Sequence, residues 1–489
     1  MAFARDLLIY GIGGAASRLA AIVLVPLYTR ALPVEAYGRL ELLLALLALG
    51  VLIVGLQGES ALARDLHQAR AEGWDGRLVA ASLVMVAMGT VALAVLALAV
   101  LASGTVPGDV AAYFPLVVLA AVPSQVLALQ LVILRFSGAA ALFGLIAFLD
   151  LASAALFSTG FILIGGMGIE GALLGILAGK LSCMAIAWHF TFRRAPPRRP
   201  GRPLQKAMLA YALPTLPAVF LNWLQANGSR LLLAIFLTFT GVAIAGIAIK
   251  IAALYAFIAY SFRLAWEPIS FQMLATAETR PDDFNVALES YVVIMLLIAG
   301  LAMALSPLIV TVLAPAEYAE AAPLAGMFIV GQFWTGAMPI LAIGVLGARR
   351  TSRLTPIYLA GAATNVGIIV VLAPYLGIEA AALGSLLSGL VGALLAARSS
   401  QAHYPVRFSA RLLSIAIASS SLLAAANYLL FAGTAGLPLH SPASLMAIAG
   451  MAAVTVVLVG LTAMLGLDRA GRRGLRARLA PSVLLGKSA

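Results

Sequence analysis

Apolar residues fall along this chain in blocks of about 20, separated by short polar stretches. Fourteen blocks stand out, at residues 6–29, 39–63, 78–102, 112–134, 140–165, 170–191, 207–236, 242–269, 285–312, 321–347, 354–375, 379–398, 410–432 and 443–466. A helix of about 20 apolar residues crosses a hydrocarbon core ~30 Å thick, so each block predicts one transmembrane helix. The expected fold class is an all-α integral membrane protein of about 14 transmembrane helices. Leu, Ala, Val and Ile dominate the blocks, and the glycines among them suit close helix packing in lipid.

The polar stretches orient the chain. With the N-terminus cytoplasmic, the inner loops carry RDLHQAR at 64–70, Arg77, Arg135, RRAPPRRPGRPLQK at 193–206, Arg280, ARRTSR at 348–353, the arginines of 398–411 and the tail DRAGRRGLRARL. The outer loops carry only Arg30 and Arg39. The positive-inside rule then places both termini in the cytoplasm. The first block, with one arginine before it and no small-residue cleavage site after it, reads as a retained span.

The same pattern divides the chain. Pro and Arg crowd the linker after six blocks. GIEGALLG at 168–175 returns as GIEAAALG at 377–384, each before the sixth helix of a half. Two six-helix bundles in parallel-repeat arrangement follow, with a C-terminal helix pair. The expected domains are 1–195, a basic linker at 196–206, 207–400, and 401–489 with the last two helices and the basic tail.

Composition agrees with the pattern: 63% of the 489 residues are hydrophobic and 10% are charged. The net charge of +12 resides in the loops, so it points to membrane topology rather than nucleic acid. A single cysteine, Cys183, allows no internal disulfide. YGIGGAA at 10–16 fits a loose dinucleotide fingerprint, but no strand precedes it. GALLGILAGKLS at 171–182 imitates a phosphate loop with Leu174 and Leu181 in the wrong places. The Asn227 sequon lies inside a span. The four histidines are scattered, which argues against a metal site. With only short outer loops, the chain is expected to be a transporter rather than an enzyme, without a cofactor beyond possible proton or sodium coupling.

Charges left inside the spans are the candidate chemistry. Arg18, Lys180, Arg230 and Lys250 are the cations; Asp150 is the central anion, with Glu59 and Glu289 nearer the cytoplasm. Each central charge costs about 2.5–3.5 kcal/mol on insertion scales, so such residues should line a cavity or meet a partner. Arg18 lies ~17 Å into its helix from Leu7 at 1.5 Å per residue. The excess of cations suits phosphate oxygens, which nominates Arg18, Arg230, Lys180 and Lys250, with Arg30 at the outer exit. On NWLQANGSR, Asn222, Gln225 and Ser229 share one face, with Trp223 beside it. They suit a cavity wall that meets glycan hydroxyls, with interhelical hydrogen bonding as the alternative. Asp150 and Glu59 are candidates for ion coupling, and Asp150 is also placed to pair with Lys180.

LVPLYTRALPVEAYGRLELL at 24–43, GLQGESALARDL at 55–66, FRLAWEPISF at 262–271 and EYAEAAPLAGMFIVG at 317–331 resemble the polysaccharide transporter family, the Wzx-type O-antigen flippases. Their superfamily also holds the lipid II flippase and the multidrug and toxin extruders. The resemblance implies two bundles around a cavity open alternately to each side. It implies an undecaprenyl-pyrophosphate-linked oligosaccharide as cargo, membrane lipids as surroundings, and a polymerase and glycosyltransferases as pathway partners. Ser229 stands where the family pattern suggests an Asp before Arg230. Lipid II flipping, cation-coupled drug export and membrane polysaccharide polymerase or ligase activity remain the alternatives.

Overall fold

The computed structural model describes residues 22–104, 106, 108–193, 195–275, 283–348, 350–403 and 408–467. The protein is all-α across them, and thirteen helices among the described residues are long and apolar enough to cross a membrane. Most of the first predicted span, Arg18 included, lies outside the described residues. The chain is a multi-pass membrane protein, and it forms two compact units, Met1–Trp223 and Leu224–Ala489.

The first unit contains α1 (Val25–Ala31), α2 (Val34–Gly55), α3 (Gly58–Ala71), α4 (Asp75–Ala102), α5 (Phe114–Phe136), α6 (Ala140–Thr159), α7 (Gly168–Phe192) and α8 (Arg202–Ala212). One predicted span, 39–63, is two helices. Leu56 and Gln57 both take left-handed backbone, with φ of 45° and 58°, so α2 ends and α3 leaves on a new axis. Helix α5 packs against α2, α4 and α7, and α7 packs against α6.

Helix α9 (Leu216–Phe236) runs from the first unit into the second. The second unit continues with α10 (Phe239–Ala275), α11 (Asp283–Ala304), α12 (Ser306–Leu313), α13 (Ala321–Leu341), α14 (Leu354–Leu376), α15 (Glu379–His403), α16 (Ala410–Ala432) and α17 (Pro442–Leu461). Here α13 is the buried centre, packed on α10, α11, α15 and α16, while α15 packs on α14. The packing of α2, α5, α6 and α7 in one unit thus has its counterpart in α10, α13, α14 and α15 of the other.

The sequence repeat sits at the same structural place in both. Gly168 and Gly377 each adopt positive φ, 56° and 64°, and turn the chain into α7 and α15. Seven residues on, Gly175 and Gly384 let the preceding helix approach. A Cβ on Gly175 would overlap the Ser158 backbone, and one on Gly384 would stand 2.6 Å from Asn365 Oδ1. Several polar side chains bridge neighbouring helices, as an apolar surrounding favours. Asn427 Nδ2 donates to the Pro323 carbonyl at 2.8 Å, and Trp334 Nε1 donates to Ser420 Oγ at 3.2 Å.

Candidate functional site

The two central charges nominated in the first unit meet each other. Asp150 on α6 and Lys180 on α7 approach because Gly179 on α7 leaves the Ala154 backbone no room for a Cβ between the helices. Lys180 Nζ donates to Asp150 Oδ2 at 2.7 Å, with the lysine side chain 24% and the aspartate 15% exposed. The second aspartate oxygen is buried without a hydrogen bond. One oxygen therefore anchors the lysine, and the other is available to a further donor or ion.

In the same unit, the helix that starts at Val34 carries a carboxylate that sequence reading did not single out. Glu41 is 2% exposed, and Tyr37 Oη donates to its Oε1 at 2.7 Å. Tyr28 Oη donates to Ser158 Oγ at 3.2 Å. The signal that could have found Glu41 is the spacing Tyr37-x-x-x-Glu41, one helical turn, preceded by Pro33 as a helix start. Arg30 ends α1 exposed to solvent or headgroups, its Nη1 donating to the Pro26 carbonyl at 3.3 Å.

Glu59 lies on α3, outside the membrane-crossing helices, at the kink made by Leu56 and Gln57. Gln125 Nε2 on α5 donates to Glu59 Oε1 at 2.8 Å. Gly55 makes the approach possible, since a Cβ there would stand 2.8 Å from the Gln125 amide. Burial pushes the Glu59 carboxyl above its ordinary range, against the opposing pull of the Gln125 hydrogen bond and the Arg135 charge.

The polar face of α9 divides. Gln225 Nε2 donates to Ser388 Oγ on α15 at 3.0 Å, and Asn365 Nδ2 on α14 donates to Ser229 Oγ at 3.5 Å. These two residues tie α9 to its neighbours. Asn222 is exposed. Trp223 is buried and stacks on Phe220 with centroids 5.8 Å apart. Arg230 is half-buried, and its Nη1 donates to Asn227 Oδ1 at 3.2 Å. Asn227 thus gives Arg230 a neutral acceptor one turn earlier, where the family resemblance suggested an acidic neighbour. Lys250 on α10 is 8% exposed. A small apolar pocket of about 70 Å³ in the second unit, beside Pro307, Phe431 and Leu437, includes none of these residues.

Comparison with known proteins follows the same line. A solved lipid II flippase MurJ, in an inward closed conformation, aligns with a TM-score of 0.67 at 12% identity, covering 93% of this chain and 98% of its own. An inward-facing multidrug resistance MATE family transporter of the MOP superfamily aligns with a TM-score of 0.60 at 17% identity, covering 79% of this chain and 95% of its own. The MATE transporter VcmN of Vibrio cholerae gives 0.52 at 14% identity, over 82% of this chain and 96% of its own. Identities this low speak for the fold alone. The search of curated proteins gave no match. A family model described as polysaccharide biosynthesis protein matches residues 3–274, more than half of the chain. This chain belongs to the polysaccharide biosynthesis protein family.

Proposed function

We propose that the protein is a flippase for a lipid-linked oligosaccharide. It carries an undecaprenyl-pyrophosphate-bound glycan from the inner to the outer leaflet of the bacterial cytoplasmic membrane by alternating access, with both termini in the cytoplasm. The observation that carries this reading is the combination of a polysaccharide-biosynthesis family with a transporter fold. An enzyme of the same pathway has no such need of a transporter's architecture. The flipped product feeds a surface polymer such as O-antigen, capsule or exopolysaccharide, with glycosyltransferases before it and a polymerase after it.

Arg18, Arg230 and Lys250 attract the diphosphate, since arginine forks and ammonium groups suit phosphate oxygens. Exposed Asn222 on α9 is suited to meet sugar, with Trp223 beside it. Lys180 serves phosphate only if Asp150 releases it, so the pair is suited to coupling: a proton or sodium ion on Asp150 would free the ammonium. Glu59 and Glu41 are the other carboxylates suited to an ion.

The test is a proteoliposome assay with a fluorescent polyprenyl-pyrophosphate oligosaccharide, scored by its accessibility to an external glycosidase. Arg18→Ala and Arg230→Ala are each expected to lose most activity. Full activity in both variants refutes the cationic path. Preferential turnover of lipid II replaces the cargo, and glycan chain extension by the purified protein replaces the function.

A further inference from the structure

Three apolar stripes of the first unit end in exposed cations at one level. On α4, Val84, Met88, Val91 and Val95 are all exposed and follow steps of four, three and four, one face of a helix. Arg77 is exposed seven residues before Val84, on that face. On α7, Ile186 and Phe190 are exposed, and exposed Arg193 follows three residues on. Leu213 and Phe220 are exposed where α8 runs into α9, and exposed Lys206 precedes Leu213 by seven. Large apolar side chains exposed on transmembrane helices face acyl chains, so the cation ending each stripe lies at the headgroup boundary.

The Pro-rich linker joins these ends. The Arg198 backbone N–H donates to the Gly76 carbonyl at 2.9 Å, and a Cβ on Gly76 would collide with the Pro196 carbonyl. The linker therefore lies flat on the first turn of α4, with Arg198 and Arg199 exposed between Arg77 and Arg202. Helix α8 packs against α3 and α4 through buried Met208 and Ala212, leaving Arg202 and Lys206 outward. Tyr211, 37% exposed, lies beneath the Arg64 guanidinium at 4.1 Å, an aromatic at the interface.

The acids on this side are already engaged. Asp65 pairs with Arg64, Glu72 accepts from Gln68 and Trp74, and Asp75 accepts from the Gly76 N–H. Glu72 and Asp75 keep their charges on these neutral donors, and two carboxylates against six cations leave the patch positive.

We propose that Arg77, Arg193, Arg198, Arg199, Arg202 and Lys206 form one platform for the phosphodiester headgroups of anionic phospholipids in the adjoining leaflet. That leaflet is the cytoplasmic one in the orientation proposed above. A lipid is the ligand rather than free phosphate, because the stripes hold the cations where acyl chains end. The platform anchors the first unit and the start of α9 at a fixed depth.

Full-length protein is reconstituted in equimolar phosphatidylcholine and phosphatidylglycerol, extracted in mild detergent, and its retained lipids are counted by native mass spectrometry. The parent should retain phosphatidylglycerol selectively. A surface cation contributes about five-fold to anionic-lipid binding, so R198A/R199A/R202A/K206A should lower that retention roughly ten-fold or more. The control R350A/R353A, on a basic turn of the second unit, should retain it. Gel filtration of both variants confirms folding. Equal retention by the quadruple variant, or no headgroup preference in the parent, overturns the proposal. Neither readout involves transport, so failure here is separate from failure of the flippase reading.

Discussion

Removing Lys180 alone strands Asp150 in the membrane interior. At 2.7 Å and an effective dielectric of 20, the attraction is about 6 kcal/mol, and desolvation of both ions offsets much of it. Breaking the pair from one side leaves an uncompensated charge, which costs about 3–5 kcal/mol. Asp150 Oδ1 has no hydrogen bond in reserve, so nothing nearby softens that loss. Lys180→Met and Asp150→Asn should each lower the apparent melting temperature in detergent by on the order of 10 °C. The double variant, neutral and close in shape, should recover most of the loss, because two uncharged side chains need no compensation.

The cycle also separates structure from transport. If the pair only braces α6 against α7, the double variant regains flipping with stability. If Lys180 meets phosphate when Asp150 releases it, the double variant is stable and inactive. Unchanged melting of Lys180→Met would refute the reasoning at its base, since it would mean the ion pair does not hold these helices.

Three further outcomes follow from single contacts. Gly384→Ala places a Cβ 2.6 Å from Asn365 Oδ1 and should destabilise by about 1–3 kcal/mol, read by thermal unfolding, whereas Gly433→Ala, facing open space, should change little. Gln225→Ala and Ser388→Ala break one interhelical hydrogen bond and should be non-additive by roughly 0.6–1.7 kcal/mol; strict additivity would refute the contact. Burial holds the Glu59 pKa above its unfolded value, so its contribution to stability is present below the ordinary glutamate range and lost as pH rises through the raised value. Glu59→Gln should flatten that decline and gain on the parent at neutral pH, while parallel pH–stability curves would show the carboxyl is not destabilised by burial.

Much of the architecture was legible because lipid makes hydropathy a strict code. The block at 410–432 coincides with α16, and the GIE repeat marked the two equivalent turns. Two kinds of feature were not legible. Leu56 and Gln57 carry no turn signature, since neither is glycine, proline or asparagine, yet they break the block at 39–63. Tertiary packing of α3 on α4 and α5 sets that bend, and Glu59 moves out of the span with it. The chemistry of α9 was also ambiguous. Gln225 and Asn222 are the same functional group three residues apart, and only the position of Ser388 distinguishes a helix tie from an exposed amide.

That ambiguity bears on how charge is read in such chains. Counting ionisable residues along the spans gives an excess of cations, yet Lys180 spends its charge on Asp150, and buried Glu41, inside the block at 39–63 but not singled out there, adds an anion. The candidates for anion binding therefore include residues oriented by an amide and residues whose surroundings can change. Arg230 beside Asn227 is the first kind, because an amide oxygen one turn away directs its guanidinium. Lys180 beside Asp150 is the second, because one proton on the carboxyl alters what the ammonium can bind. A flippase driven by an ion needs both kinds: a cation that always recognises phosphate, and one whose availability depends on the ion.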